Sequence, residues 1–282
     1  MAGDIRLIMS DLDGTLLDDD NKLTEDNIKA LKRAREAGIS IVPVSARFLS
    51  AIEQALEGFD EVDYVVCCNG ASLYDYKTKE CLFMDEMDKD TVLRMLEYFD
   101  TLQCMQFVVA NGECFADQVS YDKHFHNMFI PIAYRQTTLS STFVPSIKDI
   151  VRDDAYRVEI IFVILPDVET TNRANEVISA MGDFSTLGAF PTDLEISNAS
   201  ANKEHMILRM KEIVGVGAKE IMAFGDGAND AGMVGNAGIG VAMENAMEET
   251  KKTAAYITKK NTESGVGYMI NRYLDGELTE DH

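Results

Sequence analysis

Cysteine and proline are scarce in this 282-residue chain, at 5 of each. So few cysteines exclude a disulfide scaffold. Cys67 and Cys68 are adjacent, which suits a buried strand better than a bridge, and Cys81, Cys104 and Cys114 show no metal-ligand spacing. They read as reduced thiols acting as small core hydrophobes. Five prolines and 19 glycines exclude a fibrous or disordered class. Basic residues are also short: 26 Lys and Arg against 48 Asp and Glu give 26 − 48 = −22. Phosphate contacts need clustered Lys and Arg, so a general nucleic-acid binder is excluded, and docking on an anionic membrane is disfavoured. No stretch approaches the ~20 apolar residues that span a bilayer. Asp4, Arg6, Asp11 and Asp13 break up the N-terminal apolar run, so no signal-peptide core forms. The expectation is a soluble, cytoplasmic, globular protein of one or two domains.

The patterning that is present alternates. Ile5–Ser10 reads as a buried strand ending at an Asp-rich turn. Thr24–Ala37 reads as a helix with Ile28, Leu31 and Ala34 on one face, capped by Thr24 and ended by Gly38. A strand at Ile39–Val44, a helix at Leu49–Leu56 and a strand at Tyr64–Cys68 follow. Strand–helix–strand–helix–strand predicts right-handed βαβ units and a parallel sheet. After Gly70 hairpins enter: Leu73–Tyr76 with Cys81–Met84, then Met105–Ala110 with Glu113–Ala116 around Asn111–Gly112. Helices at Asp88–Leu102 and Glu169–Met181 and strands at Arg157–Leu165, Phe184–Ala189 and Leu194–Ser197 complete an α+β segment. From Lys203 the first style returns, with strands at Glu220–Phe224 and Ile239–Ala242 among helices. The expected architecture is α/β: a Rossmann-like parallel-sheet core, residues 1–84 and 191–282, with an α+β domain inserted at 85–190.

The chemistry sits at strand ends. Asp11-Leu12-Asp13-Gly14-Thr15 follows the first strand. Residues two apart on an extended backbone point the same way, so Asp11 and Asp13 can face one crevice, where open α/β sheets bind ligands. Two carboxylates so close repel unless a cation or a shared proton intervenes. That suits a Mg²⁺ site or a nucleophile beside a general acid; an acidic turn is the plain alternative. Gly225-Asp226-Gly227-Ala228-Asn229-Asp230 follows another apolar strand and supplies hard oxygen donors, with a capped helix start as its alternative. Ser45-Ala46-Arg47 closes the second strand, where hydroxyl and backbone N–H groups can hold a phosphate. Lys203 can neutralise a transferring phosphoryl group, although most lysines are solvated surface residues.

In this order the motifs resemble the haloacid dehalogenase-like superfamily, and within it the Cof-type phosphatases with a large α/β (C2-type) cap. The resemblance runs through Asp11–Thr15, Ser45–Arg47, Lys203 and Gly225–Asp230. Asn69-Gly70-Ala71, Gly240–Ala246 and Asn261–Gly265 add to it. It implies a Mg²⁺-dependent phosphatase of small phosphorylated metabolites, sugar phosphates or phosphorylated cofactors. Asp11 would form an aspartyl-phosphate, and Asp13 would protonate the leaving alkoxide and then deprotonate water. Mg²⁺ would be held by Asp11, the main-chain carbonyl of Asp13 and Asp226, with Asp230 on its bound water. Leu12 and Ala46 through their N–H groups, Ser45, Asn229 and Lys203 would bind the phosphoryl group.

Two positions depart from the family pattern. Ser45-Ala46 stands where Thr-Gly is usual, and Glu204-His205 follows Lys203 where Gly is usual; the second puts the local helix start in doubt. The inserted domain resembles the cap that selects substrates and closes against water. Within it Tyr121, Asp122, His124, Phe125, His126 and Arg135 form a polar-aromatic patch that could meet a leaving group, which makes Tyr121, His124, His126 and Arg135 the candidate specificity residues. A solvated loop is the plainer alternative, and a metal site at His124 and His126 lacks other ligands nearby. A phosphomutase using the same aspartyl-phosphate and a phospho-accepting receiver module are the competing readings. The inserted domain and the second acidic loop disfavour the receiver.

Overall fold

The computed structural model describes residues 5–125, 140–188 and 190–278. Two compact units divide it. The first gathers the described parts of Met1–Arg47, Ile52–Phe83 and Asn202–His282, and the second those of Phe48–Ala51 and Met84–Ala201.

The first unit is built on eight strands: β1 (Leu7–Asp11), β2 (Ser40–Val44), β3 (Tyr64–Cys67), β4 (Ser72–Asp75), β5 (Cys81–Met84), β12 (Ile221–Gly225), β13 (Ile239–Ala242) and β14 (Tyr256–Ile257). Their spatial order is β14-β13-β12-β1-β2-β3-β4-β5. From β14 to β3 the pairing is parallel, and β4 turns back antiparallel on β3. All five residues of β1 and all five of β12 are buried. Continuous apolar strands of this kind belong inside a sheet covered on both faces. On one face Met206, Ile207 and Met210 of the helix Lys203–Val214 pack against Leu7, Met9, Val42 and Ala223. The helices Glu25–Glu36 and Gly265–Leu274 pack together, locked where buried Asn27 donates to the Leu16 carbonyl and accepts from the Gly267 N–H.

The second unit has six strands: β6 (Met105–Ala110), β7 (Glu113–Asp117), β8 (Thr142–Val144), β9 (Val158–Ile164), β10 (Phe184–Leu187) and β11 (Asp193–Asn198). Their order is β10-β11-β9-β6-β7-β8, antiparallel except for β7 with β8. Val92, Met95, Leu96 and Phe99 of the helix Lys89–Phe99 pack with Val108, Ile161, Val163, Leu194 and Ile196. Burial pushes the Cys104 and Cys114 thiols up to about 12, as befits packing residues.

The parallel sheet and the mixed second unit match the expected α/β architecture. The second boundary differs. Residues 191–201 go with the second unit, because β11 pairs with β9 and β10 there. Short elements also escaped sequence reading: β8, β14 and the helices Gln118–His124 and Ile147–Arg152. Each has at most seven residues, too few for periodicity to show.

Candidate active site

Three loops leave the carboxyl ends of β2, β1 and β12, neighbours in the sheet. After Asp11 the chain folds back on itself, with the Leu16 N–H donating to the Asp11 carbonyl and the Leu17 N–H to the Leu12 carbonyl. Gly14 makes the turn possible. Its φ is +83°, and a Cβ there would stand 2.5 Å from Asp226 Oδ2. The loop after β1 therefore closes directly on the loop after β12. Thr15 Oγ1 seals the closure by donating to Asp226 Oδ1 at 2.6 Å.

The loop after β12 is organised by Asp230, whose Oδ2 accepts the N–H groups of Asp226 and Gly227 at 3.0 and 2.9 Å. Its Oδ1 faces Lys203. The Lys203 ammonium donates to Asp11 Oδ1 and to Asp230 Oδ1, each at 2.6 Å, and is 1% exposed. Lys203 is the first residue of its helix, and the helix dipole disfavours a cation there. The two carboxylates offset that cost. The helix begins at Lys203 despite Glu204-His205, because Asn202 caps it by accepting the His205 N–H.

Electrostatics follow from burial. Burial drives the Asp11 carboxyl above its usual range; the Lys203 ammonium opposes this, and Asp230 adds to it. Burial pulls Lys203 down, but Asp11 and Asp230 outweigh it and leave the ammonium firmly protonated. Asp226 is also raised by burial, against the Thr15 hydrogen bond. Carboxylate oxygens of Asp11, Asp226 and Asp230 lie within 4.8 Å of one another. With all groups charged the cluster sums to 1 − 3 = −2. Hard oxygen donors around a net charge of −2 fit a divalent cation such as Mg²⁺.

The other expected site residues fall as follows. Buried Ser45 opens the loop after β2, and its Oγ accepts the Arg47 N–H at 3.1 Å. Asp13 is exposed, and its carboxylate accepts from Nε (2.9 Å) and a terminal nitrogen of the Arg47 guanidinium. Leu12 is buried beside Asp11, and Ala46 is half-buried beside Ser45. Exposed Asn229 donates through Nδ2 to Asn69 Oδ1 at 2.9 Å. The structure thus brings Asp11, Lys203, Asp226 and Asp230 together, and it adds two contacts that sequence reading missed, Arg47 with Asp13 and Asn69 with Asn229. Both partners stood in recognised motifs, the only signal available.

In the second unit, the expected solvated loop is a helix at its start. Asp117 caps Gln118–His124 by accepting the Ser120 N–H, and His124 is buried. Burial, then Lys123, pulls His124 down. Tyr121 stacks on Phe125 with centroids 4.4 Å apart and meets the Phe143 edge at 4.7 Å. His126 and Arg135 lie outside the described residues.

A doubly covered parallel sheet with an acidic, lysine-bridged cluster at its carboxyl end is the setting of a phosphoryl-transfer hydrolase. Residues 8–270 match the family model of haloacid dehalogenase-like hydrolases, and the chain belongs to this family. It is 27% identical to the 5-amino-6-(5-phospho-D-ribitylamino)uracil phosphatase YcsE of Bacillus subtilis, over 96% of each chain. The pyridoxal phosphate phosphatase YbhA of Escherichia coli is 26% identical over 95% of this chain and 98% of the relative. A haloacid dehalogenase-like hydrolase from Bacteroides thetaiotaomicron superposes with a TM-score of 0.80 at 25% identity, covering 95% and 99% of the two chains. No described helix is long and apolar enough to cross a membrane.

Proposed function

We propose that the protein is a Mg²⁺-dependent phosphatase of small phosphorylated metabolites that works through an aspartyl-phosphate on Asp11. The observation that carries the reading is the buried Asp11–Lys203–Asp230 network beside Asp226. With Oδ1 held by Lys203, the second oxygen of Asp11 attacks phosphorus and the ester P–O bond breaks. Asp13 donates a proton to the leaving alkoxide. It then takes a proton from the water that attacks the phosphoryl group, releasing inorganic phosphate and restoring Asp11. For this proton transfer the Asp13 carboxyl has to leave the Arg47 guanidinium with which it pairs. Lys203, Asn229, Ser45 and the N–H groups of Leu12 and Ala46 bind the phosphoryl oxygens. Mg²⁺ held by Asp11, the Asp13 carbonyl and Asp226, with Asp230 on its hydration shell, would neutralise charge between carboxylate and phosphate.

The relatives' substrates, a ribitylaminouracil phosphate and pyridoxal phosphate, support a phosphorylated cofactor or cofactor precursor alongside sugar phosphates. The test is phosphate release from a panel of these compounds with Mg²⁺, with chelator, and with Asp11→Asn. Release abolished by chelator and by the substitution is expected. Isomerised substrate without free phosphate would point to a phosphomutase and overturn the hydrolytic reading.

A further inference from the structure

The turn after β3 has no role in the reaction just described, yet it touches three parts of the site. Cys68 and Asn69 both have left-handed backbones, with φ of +51° and +56°. Two consecutive non-glycine residues in that region persist only where the surroundings hold them. What holds them is the site itself. The Asn69 N–H donates to the Ser45 carbonyl at 2.9 Å, and the Cys68 N–H to the Arg47 carbonyl at 3.0 Å. Gly70 follows with φ of +109°, and a Cβ there would lie 2.5 Å from the carbonyl of Asn202, the residue that caps the Lys203 helix. The 8%-exposed Asn69 side chain accepts one N–H of Asn229 through Oδ1.

We infer that Asn69 is a positioning residue that presets the Asn229 amide for the phosphoryl group. An unrestrained asparagine on an exposed loop presents its oxygen and its nitrogen to a ligand by turns. A carbonyl acceptor on one N–H fixes the amide so that the second N–H, not the oxygen, faces an anion. The same turn ties that choice to the Ser45 loop, so both phosphate-side groups are set before substrate arrives.

The inference rests on the phosphatase reading, and the experiment separates the two. Asn69→Gly keeps the left-handed backbone and removes the amide. Asn69→Asp keeps both the accepting oxygen and the tolerance for positive φ. Each is combined with Asn229→Ala in the full-length, Mg²⁺-loaded protein, and kcat, KM and the inhibition constant of inorganic phosphate are measured. In the unsubstituted protein and in Asn69→Asp, removing the Asn229 side chain should weaken phosphate and raise KM by about tenfold or more, the loss of a hydrogen bond to a charged group. In Asn69→Gly the same removal should cost less than about twofold, because the misoriented amide has little left to lose. Equal losses in all three backgrounds would overturn the inference. An unsubstituted protein that releases no phosphate would instead overturn the phosphatase reading.

Discussion

Replacing Lys203 by methionine probes the charge balance of the site most directly. Methionine keeps much of the side chain's volume, so the perturbation is loss of charge rather than a large cavity. The ammonium is 1% exposed and its two bonds of 2.6 Å go to Asp11 and Asp230. Without it the cluster charge falls from 1 − 3 = −2 to −3, and two buried carboxylates face each other unpaired. Removing one side of a buried ion pair costs about 3–5 kcal/mol, and with two carboxylates orphaned the loss should reach about 4–5 kcal/mol. The penalty should depend on pH. Burial holds Asp11 above its usual range already, and without the opposing ammonium it rises further. A carboxyl whose folded value is raised stabilises the fold below its unfolded value, near pH 4, and that contribution is lost as pH rises through the folded value. Lys203→Met should therefore approach the unsubstituted protein near pH 4 and fall furthest behind near pH 8. Urea unfolding with chelator present measures this. Circular dichroism is the suitable probe, since the chain has no tryptophan. Equal stability of the two proteins at pH 8 would refute the reasoning, because the buried carboxylates would then need no counter-charge. Turnover should drop about 10²–10³-fold with Mg²⁺ present, the usual cost of removing a preorganised electrostatic group.

Gly14→Ala forces a side chain into the left-handed region against Asp226 Oδ2. A stability loss of about 1–3 kcal/mol is expected from the backbone, with weaker Mg²⁺ binding by calorimetry as Asp226 is pushed from Thr15; unchanged Mg²⁺ affinity would contradict that closure. Glu195 on β11 is raised to about 7, first by burial and then by Asp193. Its protonated form stabilises the second unit below pH about 4.5, a contribution lost as pH rises through about 7, so unfolding midpoints should decline over that window. Glu195→Gln should flatten the decline, by about 3 kcal/mol at pH 8; a variant that keeps the full slope would assign it to another group.

The sequence showed the catalytic frame most clearly where residues are buried in unbroken runs. β1 and β12 are fully buried, their runs end at carboxylates, and the parallel sheet followed from that rhythm. Asp11, Asp226 and Asp230 were legible as donors because hard-ligand chemistry is visible in composition. Lys203 was not legible on its own chemistry, since its burial depends on a helix start 192 residues from Asp11; only its place in the motif order marked it. Contacts of long sequence separation were invisible, as with Asn69 and Asn229, 160 residues apart. The assignment of residues 191–201 to the first unit failed for a related reason. A short strand such as β11 carries no mark of which sheet it joins, and its partners β9 and β10 decide.

The order of the strands along the chain has a consequence for biosynthesis. Nearly all of the second unit comes from the single stretch Met84–Ala201, so its core can close while the ribosome is still at work. The first unit cannot close then, because β1 sits between β2 and β12, and β12 begins only at Ile221. A nascent chain halted before that point holds Asp11 and Ser45 but neither Asp226 nor Asp230. Until β12 docks, β1 presents an open, apolar edge, the kind of strand that invites wrong pairing. The carboxylate cluster thus assembles late in synthesis, and an unfinished chain carries only one of its three acidic members.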